Sequence, residues 1–140
     1  MAPRASIIIL CKNAAQKIDS VLKGIFAGRT DFAYEVIIID SGSRDGTKDI
    51  IAKYPVKVIE IPPNLFSHGG TRNTGASLAG GEFIVFLTQD AVPKDEYWLS
   101  RLLDNFSDSG VAGVYGRQLP EDDSPPMEKF FLSYVYPDKK

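Results

Sequence analysis

The sequence has little of several residue types, and each shortage excludes a class of protein. A single cysteine, Cys11, among 140 residues cannot form a disulfide framework within the chain. We expect it to be a reduced, buried thiol. The formal net charge is −2, so there is no basic excess to bind a nucleic acid through its phosphates. No apolar run approaches the length of a membrane span.

The amino terminus carries no pattern of a targeting segment. Residues 1–4 lead directly into an apolar run, so no signal peptide is expected. The expected location is the cytoplasm, and attachment at the inner face of a membrane stays open. With 44% hydrophobic and 24% charged residues, the chain has the composition of one ordinary globular domain with a real core.

Apolar runs alternate with helical periodicity along the chain. The runs predict five strands, at residues 6–10, 34–39, 56–61, 83–87 and 111–116. Apolar spacings of three and four predict four helices, at residues 14–26, 47–53, 69–79 and 95–106. This order predicts an α/β fold with a mostly parallel sheet and right-handed crossovers. The third strand is expected at an edge, and the fourth is expected to be buried on both faces.

Polar side chains follow three of the predicted strands. Asn13 follows the first, Asp40 the second and Asp90 the fourth. Parallel strands share their carboxyl edge, and a crevice opens there if the first strand lies between the other two. Asn13 and Asp40 would then contact a base and ribose, and Asp90 a divalent metal with its diphosphate. The alternatives are an Asx turn at Asp40, which is compatible with that role, and a surface turn at Asp90.

Four motifs resemble those of the family 2 glycosyltransferases of GT-A fold, and the last resembles their rhamnosyltransferase-like branch. In chain order they are residues 6–13 with 35–47, residues 68–75, residues 88–91 and residues 116–120. The resemblance spans essentially the whole chain, and it is specific because all four motifs occur in order and at the right spacing. It implies a three-layer, Rossmann-like nucleotide-diphospho-sugar transferase fold and the amino-terminal, donor-binding part of such an enzyme.

The resemblance also implies a set of site residues. The expected contacts to a nucleotide-sugar donor are Asn13, Asp40, Ser43, Asp45, His68, Arg72 and Thr88. Asp90 would bind Mg²⁺ or Mn²⁺. Thr88 stands where many members carry a further aspartate, so the metal would depend on Asp90 and the donor phosphates. Arg72 also has a physical argument, because a guanidinium at a helix start adds to backbone N–H groups that favour anions.

The implied reaction is the inverting transfer of a sugar to a hydroxyl of a glycan or lipid-linked acceptor. No carboxylate after Asp90 stands in a context resembling the family's general base, so no catalytic residue is assigned. Two alternatives stay open: a non-catalytic nucleotide-sugar binding module and a sugar nucleotidyltransferase. We expect residues 1–118 to form the donor-binding domain. Residues 119–140 should begin an acceptor-side region that continues beyond the chain, because the aromatic cluster at 130–136 needs something to pack against.

Overall fold

A computed structural model of the chain describes residues 2–137. These residues form two compact units, one ending at Leu103 and the other starting at Asp104. The first unit holds a four-stranded sheet made of β1 (Ala5–Cys11), β2 (Tyr34–Asp40), β3 (Lys57–Glu60) and β4 (Phe83–Thr88). The strand order is β3-β2-β1-β4, and every neighbouring pair is parallel. The predicted α/β fold is therefore confirmed, with β1 between β2 and β4 and β3 at an edge.

Within residues 2–137, five α-helices accompany the strands. They are α1 (Ile18–Phe26), α2 (Thr47–Ile51), α3 (His68–Ser77), α4 (Trp98–Asp104) and α5 (Pro126–Val135). Short 3-10 turns occur at Pro63–Leu65 and Asn105–Ser107. Between residues 2 and 137, the helices are all too short or too polar to cross a bilayer.

The helices of the first unit lie on both faces of the sheet. On one face, the Tyr34 hydroxyl donates to the Ile25 carbonyl of α1 at 3.1 Å. On the other face, Gly75 of α3 packs against Ile8 and Ile39. Tyr34 and Ile39 are an odd number of positions apart on β2, so their side chains point to opposite sides. The result is the three-layer arrangement that the resemblance implied.

The close approach of α3 depends on Gly75. A Cβ at this position would lie 2.6 Å from Cγ2 of Ile8 and 3.2 Å from Cδ1 of Ile39. Both isoleucines are fully buried in the two central strands. The small side chains of this helix therefore bring its backbone, and with it the start of the helix, close to β1 and β2.

Two predictions about strands are wrong. β4 is not buried on both faces, because Ile84 and Phe86 are 40% and 47% exposed. It lies at an edge of the sheet that residues 2–137 form, where only one neighbouring strand covers it. Residues 111–116 form no strand. This run carries Gly113 and Gly116, which contribute no side-chain surface to a sheet.

All four predicted helices are shorter than expected. α2 and α3 each end two residues before the predicted 53 and 79, and α1 and α4 differ more. α1 starts at Ile18 rather than at residue 14. The backbone amides at residues 14 and 15 form hydrogen bonds to side chains outside the helix. The Ala15 amide donates to Asp45 in the loop after β2, and the Ala14 amide donates to Thr47, the first residue of α2. α4 occupies Trp98–Asp104 of the predicted 95–106, and its last residues continue as a 3-10 turn.

The second unit contains α5. Much of the aromatic cluster lies in this helix, and its large side chains are exposed: Met127, Phe130, Phe131 and Tyr134. The Lys129 ammonium donates to the carbonyl of Asp122 at 2.6 Å, which ties the helix to the preceding turn. The predicted boundary between residues 118 and 119 lies within this unit.

Candidate functional site

The loops after β1 and β2 are joined by side-chain hydrogen bonds. The amide N–H of Asn13 donates to Oγ of Ser43 at 2.8 Å, and the amide of Arg44 donates to Oδ1 of Asn13 at 2.9 Å. Asn13 adopts a left-handed φ of 49°, which asparagine tolerates better than most residues. The conformation of Asn13 thus presents both its amide and its side chain to the β2 loop.

The Asp40 carboxylate accepts several hydrogen bonds from the loop that follows β2. Its side chain is fully buried, and Oδ2 accepts from the amides of Gly42 at 3.0 Å and Ser43 at 2.9 Å. The Ser43 hydroxyl donates to Oδ1 of the same carboxylate. This is the Asx turn expected as the alternative for Asp40. Gly42 has a positive φ of 87°, which glycine adopts without strain.

Asp45 and Thr47 complete the junction. Oδ2 of Asp45 accepts from the amide of Ala15 at 3.0 Å, and Oγ1 of Thr47 accepts from the amide of Ala14 at 2.8 Å. Hydrogen bonds from Thr47, with others from the backbone, hold the pKa of Asp45 below its ordinary value. Sequence analysis missed Thr47, a fully buried polar residue. Its place at the start of a helix, two residues after an aspartate, is the signal that would have found it.

A cavity of about 270 Å³ opens beside these loops, at the carboxyl ends of β1 and β4. Ile8, Leu10, Phe66 and Leu87 give it an apolar wall. Its polar lining comes from Lys12, Ser41, His68, Arg72, Thr88 and Gln89. A mostly apolar hollow with a few convergent polar groups, at the topological switch point of a parallel sheet, is the usual form of a small-molecule site.

Three of the predicted site residues line the cavity. His68 is the first residue of α3, and its ring meets Phe66 edge-on with centroids 5.0 Å apart. Nη1 of Arg72 donates to the carbonyl of His68 at 3.2 Å. Thr88 ends β4 and lines the same cavity.

Cys11 also borders the cavity, as a buried thiol. Burial raises the pKa of the thiol to about 12, and the carboxylates of Asp40 and Asp45 add to the effect. This confirms the expectation of a buried thiol and gives Cys11 the chemistry of a wall residue rather than of a nucleophile.

Gln89 is a further contact that the sequence did not reveal. Its Oε1 accepts from the amide of Lys12 at 2.8 Å. The bond joins the chain segments that follow β1 and β4, just beyond the register pair Leu10 and Thr88. The loop after β1 is therefore hydrogen-bonded both to the loop after β2 and to the residue that follows β4.

Asp90 lies in the turn that follows β4. It is exposed, in a turn closed by a hydrogen bond from the Ala91 amide to the Thr88 carbonyl at 3.2 Å. Nowhere in residues 2–137 do three histidine, cysteine or acidic side chains gather as a metal cage. A single exposed carboxylate fits Mg²⁺ or Mn²⁺ when phosphate oxygens and water supply the other ligands. Asp90 fits that arrangement.

Apart from Asp90, which is not among the residues that line the cavity, the predicted site residues fall into two groups. His68, Arg72 and Thr88 line the cavity. Asn13, Asp40, Ser43 and Asp45 form the junction of the two loops beside it. Their side chains are already engaged with the protein itself, which the sequence pattern did not indicate.

Comparison with known proteins gives relatives with named activities. The chain is 45% identical over 112 residues to the O-antigen chain rhamnosyltransferase WbaN of Salmonella anatum, a match that covers 79% of this chain and 36% of that protein. The chain spans less than half the length of the curated relatives that it matches first. The match confirms the resemblance to the rhamnosyltransferase-like branch.

Solved structures show the same fold. TarS 1–349 of S. aureus in complex with UDP matches with a TM-score of 0.66 and 26% identity, over 84% of this chain and 38% of that one. The mannosyltransferase PcManGT of Pyrobaculum calidifontis, in complex with GDP-Man and Mn²⁺, has a TM-score of 0.67 and 24% identity. This match covers 79% of this chain and 34% of the PcManGT chain. The GT-A fold is thereby confirmed.

The family assignment covers most of the chain. The family described as glycosyl transferase family 2 matches residues 6–129. This range contains the loop junction, the cavity and all of the sheet except Ala5, the first residue of β1. The chain belongs to glycosyl transferase family 2.

Proposed function

We propose that this chain is the donor-binding part of a glycosyltransferase that moves a sugar from a nucleotide-sugar to a hydroxyl acceptor, with inversion. The observation that carries the proposal is the cavity at the switch point between β1 and β4, with Arg72 and Thr88 in its lining. Ligands of open α/β sheets bind in that crevice. In a family 2 chain, the ligand would be a nucleotide-sugar.

Arg72 is the proposed partner of the donor diphosphate. It lies on α3, whose amino terminus reaches the cavity at His68. The amide groups at a helix start and a guanidinium together favour a phosphate group, because both present N–H donors and positive charge. His68 and Thr88 would contact the donor from the same cavity, Thr88 through its hydroxyl.

The loop junction would form the nucleoside side of the site. Asn13, Asp40, Ser43 and Asp45 are proposed donor contacts, and their mutual hydrogen bonds give them a second role. Those bonds hold the two loops in one geometry before a donor arrives, so less ordering would be needed on binding. Asp40, which is fully buried, would act mainly by holding the loop.

Asp90 is the proposed ligand of Mg²⁺ or Mn²⁺. PcManGT, which shares the fold, is a complex with Mn²⁺. A bound divalent ion would offset the charge on the departing diphosphate. This chain supplies one carboxylate for it, on the turn after β4.

The acceptor is proposed to be a hydroxyl of a glycan or a lipid-linked glycan, met in the cytoplasm at the inner face of the membrane. WbaN, named as an O-antigen chain rhamnosyltransferase, supports an acceptor of this class. Residues 1–118 would be the donor domain, and residues 119–140 would begin the acceptor side. No residue of this chain is assigned as the general base.

The experiment is a thermal-shift screen of UDP, GDP and dTDP with and without Mn²⁺, followed by turnover on the full-length gene product. A ligand that binds the native state raises its melting temperature. A rise with at least one diphosphate and release of that diphosphate during sugar transfer support the proposal. Binding without any turnover would favour a non-catalytic module. Release of pyrophosphate instead would favour a nucleotidyltransferase.

A further inference from the structure

The aromatic ring of Phe86 lies beside the guanidinium of Arg72. Cζ of Arg72 is 5.9 Å from the centroid of the Phe86 ring, within the range of a cation–π contact. Phe86 pairs in register with Ile8 of β1, and Ile8 is the residue on which Gly75 of α3 packs. The strand residue and the helix residue thus meet on one side of the sheet.

Arg72 has a second anchor, the bond from its Nη1 to the carbonyl of His68. A guanidinium carries five N–H donors in one plane, and this bond uses one of them. A free arginine side chain samples many rotamers, and ordering it opposes binding. The bond to the carbonyl and the contact with the ring restrict those rotamers where Arg72 lines the cavity.

Within residues 2–137, core packing does not account for a phenylalanine at position 86. Its side chain is 47% exposed, on an edge strand. Ile84, two residues earlier on the same face, is 40% exposed, so an aliphatic side chain suits this surface equally well. The contact that distinguishes Phe86 is the one with Arg72.

We propose that Phe86 is a positioning residue for the donor diphosphate, which acts by holding the Arg72 guanidinium at the cavity. The inference rests on the proposed function, in which Arg72 meets that diphosphate. Phe86 itself need not touch the donor. Its effect should therefore appear with ligands that carry phosphates and disappear when Arg72 is absent.

The test is a double-mutant cycle with Phe86→Leu and Arg72→Ala, measured by calorimetry with a nucleoside diphosphate and the matching nucleoside. Phe86→Leu should weaken diphosphate binding about two- to fivefold and leave nucleoside binding unchanged. In the Arg72→Ala background it should have no further effect. Phe86→Tyr, which keeps the ring, should bind as wild type. Ile84→Leu is the matched control on the same face and should also bind as wild type.

Three results would overturn the inference. They are unchanged diphosphate binding in Phe86→Leu, an equal loss for diphosphate and nucleoside, and a full loss that persists in the Arg72→Ala background. The last two would mean that Phe86 acts through the fold or through another part of the donor.

A second measurement needs no ligand and separates this inference from the proposed function. In free protein, ring current from Phe86 should shift the side-chain proton resonances of Arg72. The shift should vanish in Phe86→Leu and remain in Phe86→Tyr and Ile84→Leu. If wild-type protein binds no nucleoside diphosphate, the proposed function fails, and the positioning of Arg72 by Phe86 stands or falls on this shift. An Arg72 spectrum that is the same in wild type and Phe86→Leu overturns it.

Discussion

The amide N–H of Asn13 donates to Oγ of Ser43 at 2.8 Å, across the gap between the loops that follow β1 and β2. The same hydroxyl donates to the carboxylate of Asp40. Ser43 is therefore the point at which the first loop, the second loop and the buried end of β2 are connected. The geometry of this edge of the sheet depends on it.

Ser43→Ala should loosen the junction. It leaves the Asn13 amide and one oxygen of the buried Asp40 without their partner, and a lost partner of this kind costs about 1–3 kcal/mol of unfolding free energy. Urea unfolding measures the loss, and amide hydrogen exchange at Asn13 should become faster. Ser77→Ala is the control, because Ser77 is exposed and its hydroxyl donates to the Thr74 carbonyl of its own helix at 2.8 Å. Equal stability of the two variants would contradict a structural role for Ser43.

Gly75→Ala should destabilise the protein although alanine favours helices. The added methyl would meet Cγ2 of Ile8, which a central strand holds in place. Overpacking of this kind costs about 1–3 kcal/mol, which exceeds the gain of about 1 kcal/mol in helix propensity. Gly69→Ala lies in the same helix with nothing within 4 Å of the new atom, so it should leave the melting temperature unchanged or raise it. The prediction fails if both variants are stabilised.

Glu35 should make stability depend on pH in the acid range. Its carboxylate accepts from the Ser6 hydroxyl and from the Gly80 amide, both at 2.6 Å. The bond from Ser6, with the others, holds the pKa of Glu35 below the ordinary 4.5 in the folded chain. A lowered folded pKa gives stability that is complete above the unfolded value and lost as pH falls through the folded value.

The measurement for Glu35 is urea unfolding between pH 7 and pH 3. Wild type should be more stable than Glu35→Gln at pH 7, and the difference should shrink as the pH falls below about 4.5. The exposed Glu82, replaced by glutamine, serves as the control and should give a smaller difference. A Glu35→Gln difference that is constant with pH would show that the carboxylate charge contributes nothing.

The parallel α/β fold and the ligand edge could be predicted because they follow from local pattern. The apolar runs of β1 and β2 predicted buried strands, and the polar residues after them marked the carboxyl edge. The alternation of strands and helices then limited the topology to a parallel sheet. Asn13 and Asp40 are found at that edge as expected.

What could not be predicted depends on neighbours distant in sequence. The run at β4 looks like a buried strand, yet burial depends on whether a further strand covers its edge, which no local pattern reports. The pairing of Asn13 with Ser43 joins residues 30 positions apart. The contact of Arg72 with Phe86 likewise exists only once α3 has packed on the sheet.

The proposed function is tested most directly by a Mn²⁺ titration of wild type, Asp90→Asn and Thr88→Asp, each with and without the nucleoside diphosphate that binds best. One carboxylate holds a divalent ion poorly, so wild type should bind Mn²⁺ weakly alone and more tightly once diphosphate oxygens are present. Asp90→Asn should lose this coupling while keeping its melting temperature, because Asp90 is exposed. Thr88→Asp should bind Mn²⁺ more tightly, because a second carboxylate enters the edge. Wild-type coupling in Asp90→Asn would contradict the account.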